Sequence, residues 1–284
     1  MSNKKLKNYH QCKMVISKKN SHFKRIIKIL SSSKFRHQEN LFWLEGEKLC
    51  STFAQNVGFN ENSILVYREK LNISTISKIL GITNQLNFNY LCLSSSLFSE
   101  VSQVENGSGW GLVVSHPNHL IFKNKKFNDV VVLDGIQDPG NLGNIIRTTA
   151  SLGINDIFLT KGCVDAFSPK VIRSGCGGHF LIRISFFEGL SQIIEYLNAR
   201  KIQILATFLS DDSQNLYGKN VKLKKNCAWI FGNEGAGLSK LEIYKNKLDR
   251  VKIPIIEEIE SLNVASAVAI CLFEMKRRRK NFYI

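Results

Sequence analysis

The segment 130–147, VVVLDGIQDPGNLGNIIR, decides the fold of the second half of the chain. It begins with a continuous apolar run of four residues, which is typical of a strand buried on both faces of a parallel sheet. A turn rich in Gly, Pro and Asp follows, and helical periodicity then covers Asn144 to Leu152. A strand that passes through a polar turn into a helix is the repeating unit of an α/β domain.

The same alternation continues to the C-terminus and predicts an α/β domain with a mostly parallel sheet and helices on both faces. A further helix is expected over Leu190 to Ala199. Upstream, the apolar spacing from Asn20 to Leu30 predicts a helix and Phe42–Leu44 a short strand, so a smaller α/β domain precedes the larger one. The buried parallel strands are expected at Val130–Leu133, Ile157–Leu159, Ile202–Leu205 and Ala228–Phe231.

The boundary between the two domains is expected near residues 116–128. Residues 94–128 are rich in Ser, Gly, Asn and Lys, and the run 107–111, GSGWG, is interpreted as a flexible part of the connection. The predicted organisation is a basic tail at 1–20, a small domain at 21–116, a linker at 117–127 and the large domain at 128–284.

Charge indicates a partner made of phosphates. The chain has 39 Lys and Arg against 23 Asp and Glu, a formal net charge of +16. Residues 1–40 contain eleven basic residues against Glu39 alone, and a second basic cluster occupies 276–280. Solvated, solubilising tails are the ordinary explanation of such runs, but the excess favours nucleic acid.

Several other classes are excluded by composition. Seven Cys without a CxxC pair fit neither a disulfide scaffold nor a zinc site, and the six His form no HxxxH pair, so no metal is expected. The longest apolar run near the C-terminus, Ala267–Phe273, is far shorter than the roughly 18 residues of a membrane span. The N-terminus lacks the apolar core of a signal peptide. We therefore expect a soluble cytoplasmic protein, with an organelle matrix as the alternative.

Three polar clusters follow predicted strands, where open α/β sheets bind their ligands. The first is 134–147, in which the turn is expected to bring Asn141 and Arg147 to one cleft. The second is 231–239, FGNEGAGLS, whose glycines would let backbone amides approach a ligand, with Glu234 beside them. It lacks the GK[ST] of a Walker loop and does not match GxGxxG. An ordinary turn of the chain remains the alternative for each.

The third cluster, 253–269, leads a loop into a helix rich in small residues. The helix is apolar nearly all round, so we expect it to be buried. Ser261 is expected to cap it and, with Asn263, to face the occupant of the loop. A normally capped core helix would explain the alanines, but not Asn263 at its start.

Together and in this order, the three clusters resemble the signature motifs of the SpoU/TrmH family of RNA ribose 2′-O-methyltransferases, within the SPOUT superfamily. The resemblance covers residues 128–284, including the intervening SPKVIR at 168–173. FWLEG at 42–46 resembles the substrate-binding domain of the ribosomal-RNA branch.

The resemblance implies a C-terminal trefoil knot, S-adenosylmethionine as methyl donor, and a homodimer. It implies a catalytic set at the matching positions, which is Asn141, Arg147, Glu234, Ser261 and Asn263. It also implies main-chain contacts to the cofactor from Gly232, Ile253 and Leu262.

The chain departs from the family pattern at two positions. Glu257 stands where the family usually has Gly, and Ala265 follows Asn263-Val264 where the family usually has Ser. The family proposal makes Arg147 the base, whereas a guanidinium, which rarely gives up its proton, is better suited to clamp a phosphate and stabilise the forming alkoxide. The sequence leaves both roles open.

The predicted function is S-adenosylmethionine-dependent 2′-O-ribose methylation of structured RNA, with 23S-type large-subunit ribosomal RNA favoured because of the added N-terminal domain. A tRNA 2′-O-methyltransferase and a noncatalytic RNA-binding member of the fold are the alternatives. No Cys lies within the three motifs to act as the nucleophile of base-carbon methylation, and Cys227, in an apolar strand, is expected to be buried and inert.

Overall fold

The computed structural model describes residues 14–82, 89–117, 129–208, 210, 212–219, 221–233 and 247–279. The chain divides into two compact units. The first comprises Met1–Ile121 together with Phe167–Arg173, and the second Phe122–Ala166 with Ser174–Ile284. Residues 1–13 of the predicted tail and 118–127 of the predicted linker lie outside the described residues.

The first unit is a small mixed α/β fold. Its first helix begins after Asn20, whose side chain accepts hydrogen bonds from two backbone amides of the first turn, and it buries Phe23, Ile26 and Ile29. Its elements are α1 Ser21–Ser31, α2 Ser33–Glu39, β1 Leu41–Glu45, α3 Glu47–Asn56, β2 Ile64–Arg68, α4 Ile73–Ile79, β3 Asn89–Leu93, α5 Ser95–Val101 and β4 Trp110–Ser115.

The four strands form one mixed sheet in the order β1-β4-β2-β3, in which only β2 and β3 pair in parallel. The interpretation of GSGWG as a flexible connection is wrong. Trp110 is buried and Gly111 lies in the central strand β4, opposite Glu45 on one side and Val66 on the other. A Cβ atom at Gly111 would overlap the ring of Trp43, so this glycine serves close packing inside the sheet.

The second unit holds the predicted parallel sheet. Its elements are β5 Val130–Leu133, α6 Pro139–Ser151, β6 Asp156–Thr160, α7 Pro169–Gly175, a 3-10 helix Gly178–Phe180, β7 Arg183–Phe187, α8 Leu190–Ala199, β8 Gln203–Thr207, β9 Gln214–Asn215, β10 Cys227–Phe231, β11 Asp249–Lys252 and α9 Val264–Arg278. Part of α7, up to Arg173, groups with the first unit.

Seven strands form the sheet in the order β7-β6-β5-β10-β8-β11-β9, and every described pairing is parallel. The four predicted strands are all present, which confirms the α/β architecture. Alternate residues of the strands face opposite sides. On one side Val130, Ile204 and Ile230 pack with apolar residues of α8. On the other, the indole Nε1 of Trp229 lies 3.2 Å from the sulfur of Met275 in α9.

Helix α9 is buried along one side only. Val264, Val268, Leu272 and Met275 recur at helical spacing and are buried, whereas Phe273 is 45% exposed. The expectation of a helix buried nearly all round is therefore wrong. In the part of the chain that the structure describes, no helix has the length and apolar character needed to cross a membrane.

The C-terminal basic run fixes α9 to the sheet. The Nη1 atom of Arg279 donates to both carboxylate oxygens of Asp129, at 2.8 Å each, and both side chains are nearly buried. Arg278 donates to Glu274 at 2.7 Å and reaches backbone carbonyls of the segment 216–221. These two arginines of the cluster at 276–280 are thus neither solvated tail charges nor groups free to bind phosphate.

Candidate active site

The loops at the carboxyl ends of β5, β6 and β10 are joined by side-chain hydrogen bonds. Thr160 Oγ1 donates to Asp134 Oδ1 at 2.7 Å and accepts from the backbone amide of Gly135 at 3.1 Å. The Nδ2 atom of Asn233 donates to the carbonyl of Gly135 at 2.8 Å. A Cβ atom on Gly162 would lie 3.3 Å from the Gly135 Cα, so the loops also approach closely. This is the edge at which open α/β sheets bind ligands.

Helix α6 starts at this edge, five residues earlier than the sequence indicated. Asp138 is the N-cap, and its Oδ1 accepts from the backbone amide of Asn141 at 2.7 Å. Pro139 is the first helical residue, where the missing N–H costs no hydrogen bond. Gly143 and Asn144, expected near the helix start, therefore lie in its second turn.

Helix α9 begins at Asn263 rather than being capped by Ser261, which the sequence had indicated. The Oδ1 atom of Asn263 accepts from the amides of Ala265 and Ser266, at 2.9 and 3.3 Å. Its Nδ2 atom donates to Asn141 Oδ1 at 2.9 Å, across 122 residues of sequence. The structure thus brings together Asn141 and Asn263, and with them the N-terminal ends of α6 and α9.

Arg147 lies on the exposed surface of α6, six residues beyond Asn141. This spacing corresponds to about 9 Å along the helix axis and about 120° around it. The two side chains therefore leave the helix in different directions, and the expectation that they face one cleft stays a prediction. The guanidinium Nη1 donates to the sulfur of Cys176 at 3.7 Å. Gly178 lets this segment approach, because a Cβ atom there would lie 3.1 Å from the carbonyl of Ile146.

The remaining predicted site residues lie near the carboxyl edge of the sheet, except for one that is outside the described residues. Gly232 directly follows β10 and Ile253, which is buried, directly follows β11. Leu262 is half-buried and Ser261 exposed, and both precede the cap of α9. Glu234 lies outside the described residues. Glu257 is exposed in the loop between Ile253 and Asn263, and Ala265 donates its amide to the cap.

Cys227 is buried, as expected, and burial raises the pKa of its thiol to about 11. It is therefore protonated and inert at neutral pH. Among the described residues, no group of three or more His, Cys, Asp or Glu is placed to hold a metal ion.

Sequence reasoning missed three residues that shape the edge, which are Asp138, Thr160 and Asn233. Asp138 could have been found, because Asp followed by Pro is a strong signal for a helix start. Thr160 and Asn233 could not, since their partners Asp134 and Gly135 are 26 and 98 residues away in sequence.

Both units of the chain resemble solved structures of methyltransferases. An AdoMet-bound rRNA methyltransferase from Sinorhizobium meliloti superposes with a TM-score of 0.77 at 27% identity, covering 94% of this chain and 98% of the other. The SpoU methyltransferase AviRb from Streptomyces viridochromogenes gives a TM-score of 0.75 at 21% identity, over 92% of this chain and 98% of its own, and shows the same fold. The fold is that of solved RNA methyltransferases, and the likeness extends over both units.

The sequence comparisons identify the family. The SpoU rRNA Methylase family model matches residues 128–273. An uncharacterized tRNA/rRNA methyltransferase of Synechocystis is 31% identical over 251 residues, which cover 88% of this chain and 89% of the relative. The 23S rRNA (guanosine(2553)-2′-O)-methyltransferase RlmP of Bacillus subtilis is also 31% identical, over 88% and 94%. The chain belongs to the SpoU rRNA methylase family and is an RNA 2′-O-methyltransferase.

Proposed function

We propose that the protein methylates a ribose 2′-hydroxyl of large-subunit, 23S-type ribosomal RNA. The observation that carries this proposal is the Asn141–Asn263 hydrogen bond, which joins the N-terminal ends of α6 and α9 at the carboxyl edge of the sheet. The two carboxamides carry both N–H donors and carbonyl acceptors, which suit hydrogen bonds to an RNA phosphate or ribose. S-adenosylmethionine-dependent methylation of RNA is the chemistry of the family.

The residues at the edge fit S-adenosylmethionine. Gly232 and Ile253 lie just beyond the last ladder pairs of β10 and β11, which are Phe231 with Leu133 and Lys252 with Asn215. Backbone groups at strand ends can match the hydrogen-bonding edge of an adenine, while Ile253 and Leu262 supply apolar surface for the ring. The bound cofactor would supply an electrophilic sulfonium methyl group.

The chain's own residues must position the ribose and assist loss of its proton. We assign Asn141 and Asn263 to hydrogen bonds with the target nucleotide, because their bond fixes both carboxamides in one orientation. We assign Arg147 to the flanking phosphate and the developing alkoxide, since a guanidinium keeps its proton at neutral pH. Its contact to Cys176 limits the directions that the side chain can take. Ser261 and Glu234 complete the proposed set.

The proposed assembly is a homodimer of knotted domains that requires no metal. Exposed apolar side chains on the second unit support association, among them Phe273 on α9 and Ile256 and Ile259 in the loop before it. The location of the protein in the cytoplasm, or alternatively in an organelle matrix, stays a prediction. A relative from Xenopus tropicalis, 26% identical, is named a mitochondrial rRNA methyltransferase.

Ribosomal RNA is favoured over tRNA as the target because two similar proteins of matching length, RlmP of Bacillus subtilis and the Sinorhizobium meliloti enzyme, carry rRNA names. The Synechocystis relative is named for both RNAs. The test is transfer of labelled methyl from S-adenosylmethionine to transcribed large-subunit rRNA, with unmodified tRNA as the matched acceptor. We expect the label on the rRNA, at a position that becomes resistant to alkaline cleavage, since a methylated 2′-oxygen cannot attack the phosphate. Label on tRNA alone would replace the proposed target.

A second experiment tests the atom methylated. An rRNA fragment that contains one 2′-deoxynucleotide at the mapped position keeps its phosphates, so we expect it to bind as the all-ribose fragment does. It should accept no methyl group. Methylation of both fragments at equal rates would show that the acceptor is a base.

A further inference from the structure

A polar cavity of about 510 Å³ lies in the first unit. It is formed by the end of β2, helix α5 and the loop that leads into β4. Its walls carry charged, amide and hydroxyl groups as well as backbone, and they come from Arg68, Ser95, Phe98, Ser99, Ser102, Gln103, Val104, Glu105, Gly107 and Gly109. Its size is within the usual range of small-molecule sites.

The loop that forms one wall is held in place by a buried carboxylate. Glu45 is 5% exposed and accepts from Ser102 Oγ at 2.5 Å, from the backbone amide of Gln103 at 2.6 Å and from the indole of Trp43 at 3.3 Å. Three donors compensate the loss of water around the carboxylate. The cavity wall is therefore preorganised, and a ligand would not have to order it.

Two charged groups of opposite sign are left for a ligand. Arg68 and Glu105 are exposed, and neither side chain enters an ion pair or hydrogen bond with another of the described residues. Gly109 lies beside the guanidinium and has a φ of +80°, a backbone conformation that favours glycine. The cavity is thus not suited to a phosphate alone, which Glu105 would repel.

We propose that this cavity binds an unpaired guanine base of the RNA substrate, outside the nucleotide that is methylated. Guanine alone among the RNA bases offers two adjacent acceptors, O6 and N7, for a guanidinium, and two adjacent donors, N1–H and N2–H, for a carboxylate. Arg68 is assigned to the first pair and Glu105 to the second. Proteins read RNA sequence mostly at unpaired bases of this kind.

The inference rests on RNA being the substrate, and its test does not require turnover. The full-length protein is titrated against fluorescein-labelled heptamers UUUGUUU, UUUAUUU, UUUCUUU and UUUUUUU, and binding is followed by anisotropy. We expect the guanine heptamer to bind at least about tenfold more tightly than the others, within the discrimination of a bidentate pair. Arg68→Gln and Glu105→Gln should each abolish the guanine preference, so that the four heptamers bind with equal affinity.

The matched control is Lys48→Gln, which removes one positive charge from the exposed face of α3 in the same unit and should keep the preference. Equal binding of the four heptamers by the unaltered protein, a preference for another base, or a guanine preference that persists in Arg68→Gln would each overturn the inference. Methyl transfer to rRNA is measured on the same preparations. Absence of transfer by the unaltered protein would count against the proposed target and not against the cavity.

Discussion

Asn263 uses both ends of one carboxamide. Its oxygen accepts two backbone amides at the start of α9, and its nitrogen donates to Asn141. The side chain therefore has a structural role as the helix cap and a proposed catalytic role through Asn141. Substitution by alanine would remove both at once, so its effect could not be assigned to either. Serine separates the two, because it is a good N-cap whose hydroxyl is too short to reach Asn141.

We predict that Asn263→Ser changes the free energy of unfolding by no more than about 0.5 kcal/mol and reduces methyl transfer strongly. Asn263→Ala should lose the cap as well and be less stable by about 0.5–2 kcal/mol. Urea unfolding and a methyl-transfer assay measure the two effects. Full activity in the serine variant would show that the Asn141 contact is dispensable.

Arg147 is exposed, so its side chain should contribute little to the stability of the fold. We predict that Arg147→Ala leaves S-adenosylmethionine affinity unchanged and stability within about 0.5 kcal/mol, while methyl transfer falls by about 100-fold or more. Calorimetry and transfer assays check this. Arg200→Ala, which removes an exposed arginine stacked on Tyr196 in α8, is the matched control and should transfer methyl normally. Comparable activity of the two variants would remove Arg147 from the site.

At the same scale, the sequence predicted Asn141 and Asn263 as site residues, but not that they bond each other. The types of residue at a turn follow from local rules, whereas a contact across 122 residues depends on how the strands are ordered. The misplaced cap shows the same limit. Both Ser261 and Asn263 are good caps, and only tertiary packing selects the second.

At the scale of the element, the last turn of α9 ends in arginines that neutralise two buried carboxylates. Asp129 precedes β5 and pairs with Arg279, and Glu274 lies on α9 itself and accepts from Arg277 and Arg278. The first pair joins α9 to the sheet, and the second stays within the helix. The two pairs should respond differently to substitution.

We predict that Arg279→Met destabilises the protein by about 3–5 kcal/mol, because Asp129 is left buried and unpaired. Arg277→Ala, which removes an arginine that is 66% exposed, should cost no more than about 1 kcal/mol. The double variant Asp129→Asn with Arg279→Met should recover much of the stability, since Asn still accepts from the amide of Cys227. Thermal unfolding of the three variants distinguishes these outcomes, and equal destabilisation in both single variants would contradict the assignment.

Glu274 makes the stability of the protein depend on pH, and the direction follows from the pKa of its carboxyl. Hydrogen bonds from Arg277 and then Arg278 lower the pKa of its carboxyl from 4.5 to about 2. The resulting stabilisation is complete above about pH 4.5 and is lost as the pH falls towards 2. Glu274→Gln should therefore be less stable at neutral pH, by about 1.5–3 kcal/mol, and approach the unaltered protein near pH 2. A constant difference at every pH would contradict this.

Strand elements were predicted best, because continuous apolar runs such as 130–133 are strong local signals. The strand Trp110–Ser115 was missed, since two glycines beside a tryptophan indicate a turn by composition. Gly111 belongs there only because the ring of Trp43 occupies the place of its side chain. That requirement comes from a strand nearly 70 residues earlier.

At the scale of the whole molecule, the net charge of +16 is not all available to bind RNA, because some basic side chains bond to groups within the protein. At the N-terminus Arg36 is buried against two carbonyls and Arg25 pairs with Glu39. Val15 is likewise buried and bridges to Leu93. The positive charge available to RNA in this region is therefore less than the composition of residues 1–40 suggests.

We predict that deletion of residues 2–13, which removes four lysines and keeps Val15, weakens RNA binding without lowering the unfolding temperature. For single-stranded RNA, the slope of log affinity against log salt should become shallower by about 0.7 for every phosphate that the shortened chain no longer neutralises. Anisotropy titrations between low and moderate salt measure the slope. An unchanged slope would show that this segment only solubilises the protein.

The Asn141–Asn263 bond also bears on folding kinetics. Its two residues are 122 positions apart, so the chain between them must be closed into a long loop before the bond can form. Contacts of such long range form slowly and late. When the protein refolds from urea, we therefore expect methyl transfer to recover no earlier than the parallel sheet.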